Sequence, residues 1–91
     1  MLNQVILVGR VHKIEKLEAA SLITLCVSNS KTFGTEETYE DIPVQLSPSL
    51  IEAAGEHLVT DIILGVKGRI KAEATLCIVA EKISFVSADR E

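Results

Sequence analysis

Ninety-one residues, 47% of them hydrophobic with a mean hydropathy of +0.31, suffice for one small core, predict a single domain over 1–91 and exclude a disordered chain. Thirteen acidic against nine basic residues give a formal charge of −4 and a pI near 5.1, which argues against purely electrostatic attachment to nucleic acid or an anionic membrane but leaves room for a local basic groove. No stretch reaches the roughly 18 apolar residues that span a bilayer, and the N-terminus lacks the basic-then-apolar pattern of a secretory signal, so a cytoplasmic protein outside the membrane is expected. Only Phe33, Tyr39 and Phe85 are aromatic, and there is no Trp. A core of Val, Ile, Leu and Ala buries less area per residue than an aromatic one, and a further face buried in an oligomer would make up the difference. Cys26 and Cys77 lie far apart between apolar neighbours, which predicts two buried free thiols in a reducing compartment.

In chain order, Val5 to Val8 is an unbroken, β-branched apolar run bounded by Gly9-Arg10, the mark of a strand rather than a helix. Its lack of alternation predicts cover on both faces, from a central position in a sheet or from another chain. The strand continues through Val11 and loses regularity near His12 to Lys16. Ser21 to Ser28 alternates and predicts a second strand, with Ile23, Leu25 and Val27 on its apolar face. Asn29 to Thr38 is polar, with a turn at Gly34 and Phe33 alone at its edge. Tyr39 to Leu46 is a third strand in which Pro43, lacking an amide donor, demands an edge or a bulge. Ser47-Pro48 opens a helix, Ser47 as the cap and Pro48 at the first position. Its apolar face is Leu50, Ile51, Ala54 and Leu58, and Gly55 weakens or ends it. Ile62 to Ala72 is a fourth strand, with Gly65 and Gly68 marking a bend or bulge. Glu73 to Thr75 turns tightly into a fifth strand, Leu76 to Val86, before a short polar tail.

Three strands, a helix and two strands is the element order of the OB-fold, an all-β, five-stranded Greek-key barrel with one short helix between strands 3 and 4. Little points to catalysis. His12, His57, Cys26 and Cys77 show neither Cys-x-x-Cys nor paired-His spacing, no His adjoins either Cys, and Gly65-Val66-Lys67-Gly68 lies inside a strand rather than in a phosphate loop. The acidic pairs Glu36-Glu37 and Glu40-Asp41 suit a solvated loop. No enzyme, metal or cofactor is expected.

The opening Met-Leu-Asn-Gln-Val-Ile-Leu-Val-Gly-Arg-Val (1–11) resembles that of bacterial single-stranded DNA-binding proteins. Leu25 to Asn29, Tyr39 to Val44 and Gly65 to Ile70 resemble that family's second, third and fourth strands. Val79 to Phe85 resembles the fifth strand of its small Gram-positive and mobile-element members. The resemblance implies assembly through the first strand into dimers or tetramers. It also implies sequence-independent binding of single-stranded DNA, by a cationic groove and stacking aromatics, in DNA replication, repair or recombination.

The departures are as informative. Phe33 is a counterpart for one stacking aromatic, but the positions around Asp41 or Ile42 and around Leu46 or Ser47 hold none. The hairpin between strands 4 and 5, which carries another, shrinks to about Lys71 to Thr75, and the family's acidic, Phe-ending tail, which recruits replication proteins, has no counterpart. Missing platforms predict weak binding, since each stacked base contributes about 1–3 kcal/mol. The nucleic-acid candidates are Arg10, Lys31, Phe33, Tyr39, Lys67, Arg69 and Lys71, with Arg10, Lys67, Arg69 and Lys71 lining a phosphate track along strands 1 and 4. The same basic residues serve equally as solvated strand charge, and Phe33 and Tyr39 equally as partial core. Lys13, Lys16 and Lys82 are plain surface. An OB-fold oligomer that has lost the DNA groove and acts as a protein-interaction module is the alternative.

Overall fold

The computed structural model describes residues 1–17, 19–29, 38–72 and 75–86. Among them lie five strands, β1 (Val5–Lys16), β2 (Ser21–Ser28), β3 (Tyr39–Leu46), β4 (Ile63–Ala72) and β5 (Leu76–Phe85). Helix α1 (Pro48–Ala54) and a 3-10 turn (Gly55–His57) stand between β3 and β4. The strands close into a barrel in the order β1-β2-β3-β5-β4, antiparallel everywhere except where β3 meets β5. This is the OB-fold that the element order implies. The turns expected around Gly34 and at Glu73, and the polar tail from residue 87, lie outside the described residues.

β1 belongs to both walls of the barrel. Val5 to Arg10 pair with Gly68 to Ile63 of β4, and Arg10 to Lys16 pair with Cys26 to Ser21 of β2. Twelve residues, about 40 Å of chain, are long enough for both, and a register shift between Val11 and Lys13 bends the strand from one wall to the other. At the bend the Val11 amide donates to the Ile62 carbonyl (2.9 Å), and the Asp61 amide donates to the Val11 carbonyl (2.7 Å). Asp61 takes a left-handed conformation (φ 73°), which Asp tolerates better than most residues.

Within the protomer the Val5–Val8 run is covered on one face only, so of the two expected sources of cover the sheet does not supply both faces. Val5 and Leu7 are half-buried against the core, but Ile6 is 72% and Val8 54% exposed. A barrel wall is one layer thick, so even a strand paired within it has one covered face. Cys26 and Cys77 are free thiols, but half-buried rather than buried, because each alternates outward beside a core residue (Leu25, Ile78).

The core is aliphatic throughout: Val11, Ile23, Leu25, Val44, Leu46, Leu64, Val66, Ile78 and Ala80, at alternate positions of five strands. Leu50, Ile51 and Leu58 pack against it from the α1 segment, and Ala54 is buried. Ser47 caps the helix, its Oγ accepting from the Leu50 amide at 3.3 Å, and Gly55 (φ 58°) ends it with its amide donating to the Ile51 carbonyl. Pro43 is opposed on its β2 side by Thr24, while the parallel contact with β5 is confined to Val44 and Gln45, so it stands beside an open edge as expected. Phe85 is 37% exposed and rests against His57, ring centroids 5.8 Å apart, at the rim of the barrel.

The β4–β5 ladder pairs Lys67 with Lys82 and Gly68 with Ala80, leaving Glu81 as the extra residue of a bulge. Gly68 makes the bulge possible, because a Cβ there would stand 2.2 Å from the Val79 carbonyl oxygen, a backbone atom that cannot step aside. Gly68→Ala is therefore expected to lower stability by about 2 kcal/mol or more. Gly65→Ala, which meets only the movable Ser84 Oγ at 3.0 Å, will cost less. Urea denaturation of both variants checks the contrast.

Candidate nucleic-acid interface

Alternation along the strands sorts the exposed side chains onto two outer faces. On the first, formed by β2 and β3, the outward rows are Ser28 with Tyr39, Cys26 with Asp41, Thr24 with Pro43, and Leu22 with Gln45. Neither strand contains a Lys or Arg. Asp41 sits mid-face, its Oδ1 3.8 Å from His12 Nδ1 with both side chains more than half exposed, so the pair holds little energy. Tyr39, 59% exposed, shares a shallow concavity with Arg10, Cys26, Ser28 and Ile63. Arg10 Nη1 donates to the Asp61 carbonyl at 3.0 Å, which fixes the guanidinium beside the bend in β1.

The second outer face is formed by β1, β4 and β5. Arg10, Lys67, Arg69 and Lys71, the expected track, all belong to it. Lys67, Arg69 and Lys71 alternate along β4 about 7 Å apart, and Arg10 lies about 13 Å along β1 from Ile6, the residue opposite Lys67. Arg69 Nε is 3.6 Å from Glu81 Oε2, an exposed pair of small worth. Lys71 is half-buried at the far end, beside Leu22 and Gln45. Of the sequence candidates, Tyr39 thus meets the basic row only at Arg10. Lys31 and Phe33 lie outside the described residues.

No family model and no curated protein matches the chain. Several solved structures do. The small single-stranded DNA-binding protein of Streptomyces coelicolor superimposes with a TM-score of 0.75 at 20% identity, over 100% of this chain and 99% of that one. The small single-stranded DNA-binding protein of Mycoplasma pneumoniae gives 0.72 at 17%, again over 100% and 99%. A chain of the S. pombe Stn1-ten1 complex gives 0.67 at 12%, over 93% of this chain but 59% of that one. The likeness is one of fold. This barrel is an OB-fold.

Two residues on these faces escaped the sequence. Lys82, read as plain surface, stands directly opposite Lys67. That placement depends on the bulge at Glu81, and no sequence pattern announces which residue a bulge will skip. Asn3 stands just ahead of β1. Its Nδ2 donates to the Ile70 carbonyl (3.0 Å) and its Oδ1 accepts from the Ile70 amide (2.9 Å), so a side-chain amide continues the β1–β4 ladder where the strand itself stops. Among the described residues no group of three or more His, Cys, Asp and Glu is placed to hold a metal, and no helix is long and apolar enough to cross a membrane. Asn3→Ala is expected to destabilise the fold by about 1 kcal/mol and to speed hydrogen exchange at the Ile70 amide. Amide exchange by NMR checks this residue by residue.

Proposed function

We propose that this chain is a non-enzymatic, sequence-independent single-stranded DNA-binding protein that works as an oligomer in replication, repair or recombination. One observation carries the reading: an OB-fold barrel, similar to structures named for single-stranded DNA binding, aligns Arg10, Lys67, Arg69 and Lys71 on one outer face. Arg10, Tyr39, Lys67, Arg69 and Lys71 make the contacts, joined by Lys31 and Phe33 from their place in the chain. Binding is weak for each protomer. Tyr39 is the one exposed aromatic beside a Lys or Arg side chain among the described residues, and each stacked base is worth about 1–3 kcal/mol. The likeness of fold to the small Streptomyces and Mycoplasma proteins supports a Gram-positive or mobile-element type, with residues 1–91 forming one domain that works in the cytoplasm.

Self-association runs through β1. Residues 5–8 pair with β4 on one side and have no strand partner among the described residues on the other, and Leu2, Ile6 and Val8 beside that edge are exposed. An open strand edge with apolar neighbours is a template for a second copy, giving a dimer or tetramer. The same exposed residues also favour a second reading, an OB-fold kept for protein contacts alone.

Anisotropy of a labelled oligothymidine separates the two. The proposal expects saturable binding that weakens steeply between roughly 50 and 200 mM salt. It also expects Tyr39→Ala to lower affinity by about five- to a hundredfold. Absence of binding at low salt would refute it and leave the interaction module. Sedimentation is expected to report the mass of two or four chains, and a monomer would remove the β1 assembly.

A further inference from the structure

The outer face of β1, β4 and β5 holds a feature that ordinary surface charge does not explain. Lys67 and Lys82 are directly opposite in the β4–β5 ladder, so their Cβ atoms stand about 5 Å apart. Like charges so placed destabilise a sheet. Among the described residues neither lysine has a carboxylate within 4 Å, and the nearest acid on the ladder, Glu81, is engaged by Arg69. Among the described residues the pair stands exposed and without an ion-pair partner, beside the apolar side chain of Ile6.

The next row supplies the rest of a cradle. Val8, Gly65 and Ser84 lie side by side. Any side chain at residue 65 would press its Cβ to 3.0 Å from Ser84 Oγ, so the glycine keeps that hydroxyl uncovered at the floor of a groove that Lys67 and Lys82 also line. Two ammonium groups and a hydroxyl are the donors that a phosphate takes, and Ile6 and Val8 form an apolar wall against which a sugar can rest.

We propose that Lys67 and Lys82 grip a phosphate of the single strand as a pair, and that the backbone crosses the β1–β4–β5 face, with Arg69 on one side of the pair and Arg10 on the other, rather than the β2–β3 face. The proposal rests on the nucleic-acid reading above and assigns it a path. Charge decides between the faces. β2 and β3 hold no Lys or Arg and place Asp41 in mid-face, with Arg10 and Lys13 only at their β1 margin, whereas β4, β5 and the β4-paired part of β1 present Arg10, Lys67, Arg69 and Lys82 outward against Glu81 alone. Such a path ends at Arg10 beside Tyr39, where a base can stack. A second copy laid on the same face would set lysine pairs against one another, which disfavours it as the occupant.

The test is an oligothymidine titration over a range of salt, with wild type, K67Q/K82Q and D41N. The double variant is expected to bind on the order of tenfold more weakly at low salt and to flatten the log–log salt slope by about 1.4, the loss of two phosphate contacts on a single strand. D41N is expected to bind as wild type does. Thermal melting of K67Q/K82Q at or above the wild-type temperature shows that the loss is not unfolding, since the substitutions relieve a repulsion. Unchanged affinity in K67Q/K82Q with tighter binding by D41N would overturn the path and leave the function standing. Unchanged affinity with an altered sedimenting mass would overturn it in favour of a self-association face. No binding by wild type would overturn both.

Discussion

Val11 is fully buried, and its amide and carbonyl are both bonded to the segment that leads into β4, while its neighbours on the C-terminal side are already paired with β2. This junction turns one twelve-residue strand into a member of two walls. Without it β1 would remain a flat edge on β4, and β2 and β3 would join the barrel only through the short parallel seam between β3 and β5. The constraints on Asp61 and on the β1 bulge follow from it, since the chain must enter β4 close enough to bond Val11 from below. The cost, among the described residues, is an edge without a strand partner at residues 5–8, because a strand that meets β2 only from Gly9 onward leaves the earlier part open. Arg10, which pairs with both β2 and β4 and also reaches the Asp61 carbonyl, is held at the point where the two outer faces meet.

The same junction divides the surface chemically. β2 and β3 alternate polar and apolar residues without a cation, and the parallel seam to β5 is two pairs long. The β4–β5 ladder is long and carries the basic residues, and the bulge at Glu81 rotates Lys82 into register with Lys67. One residue more or fewer there would put Lys82 on the inner side, where the aliphatic core would not tolerate it. Gly68, pressed against the Val79 carbonyl, is the structural cause of the bulge and hence of the charge arrangement on the outside.

Much of this was legible in the chain because local rules and global fold agree. Alternation placed β2 and β3 at their observed limits, Ser47-Pro48 and Gly55 bounded the helix by capping chemistry, and the paired glycines of the fourth strand foretold a bulge. Where reading failed, the missing information was long-range. Val5–Val8 was expected to be covered on both faces by the sheet or by another chain, and the protomer covers only one, because an unbroken apolar run records hydrophobicity and not which chain supplies the cover. Cys26 and Cys77 were expected to be buried from their apolar neighbours, which take alternate sides. Arg10, Lys67, Arg69 and Lys71 could be grouped because β1–β4 pairing follows from the fold, but Lys82 could not join them without the β4–β5 register.

Net charge does not set the local field, for a physical reason. The chain carries −4 overall, yet a charge acts over about 8 Å at physiological ionic strength. Asp41 is two strands, about 10 Å, across the sheet from Arg10, and Lys67 lies a further 13 Å or so along the barrel, so the acidic β2–β3 face is screened from the lysine pair. A phosphate arriving at Lys67 and Lys82 therefore meets a cationic neighbourhood on an anionic protein. With few aromatics to stack on, a strand bound there is held chiefly by charge, and charge of this kind is indifferent to base identity and sensitive to salt. In the proposed assembly, pairing two copies along the β1 edge would continue the sheet and add a second lysine pair to the same surface. Two weak sites on one strand act together at the effective concentration set by their spacing, which raises the affinity of the assembly without any new contact in the protomer.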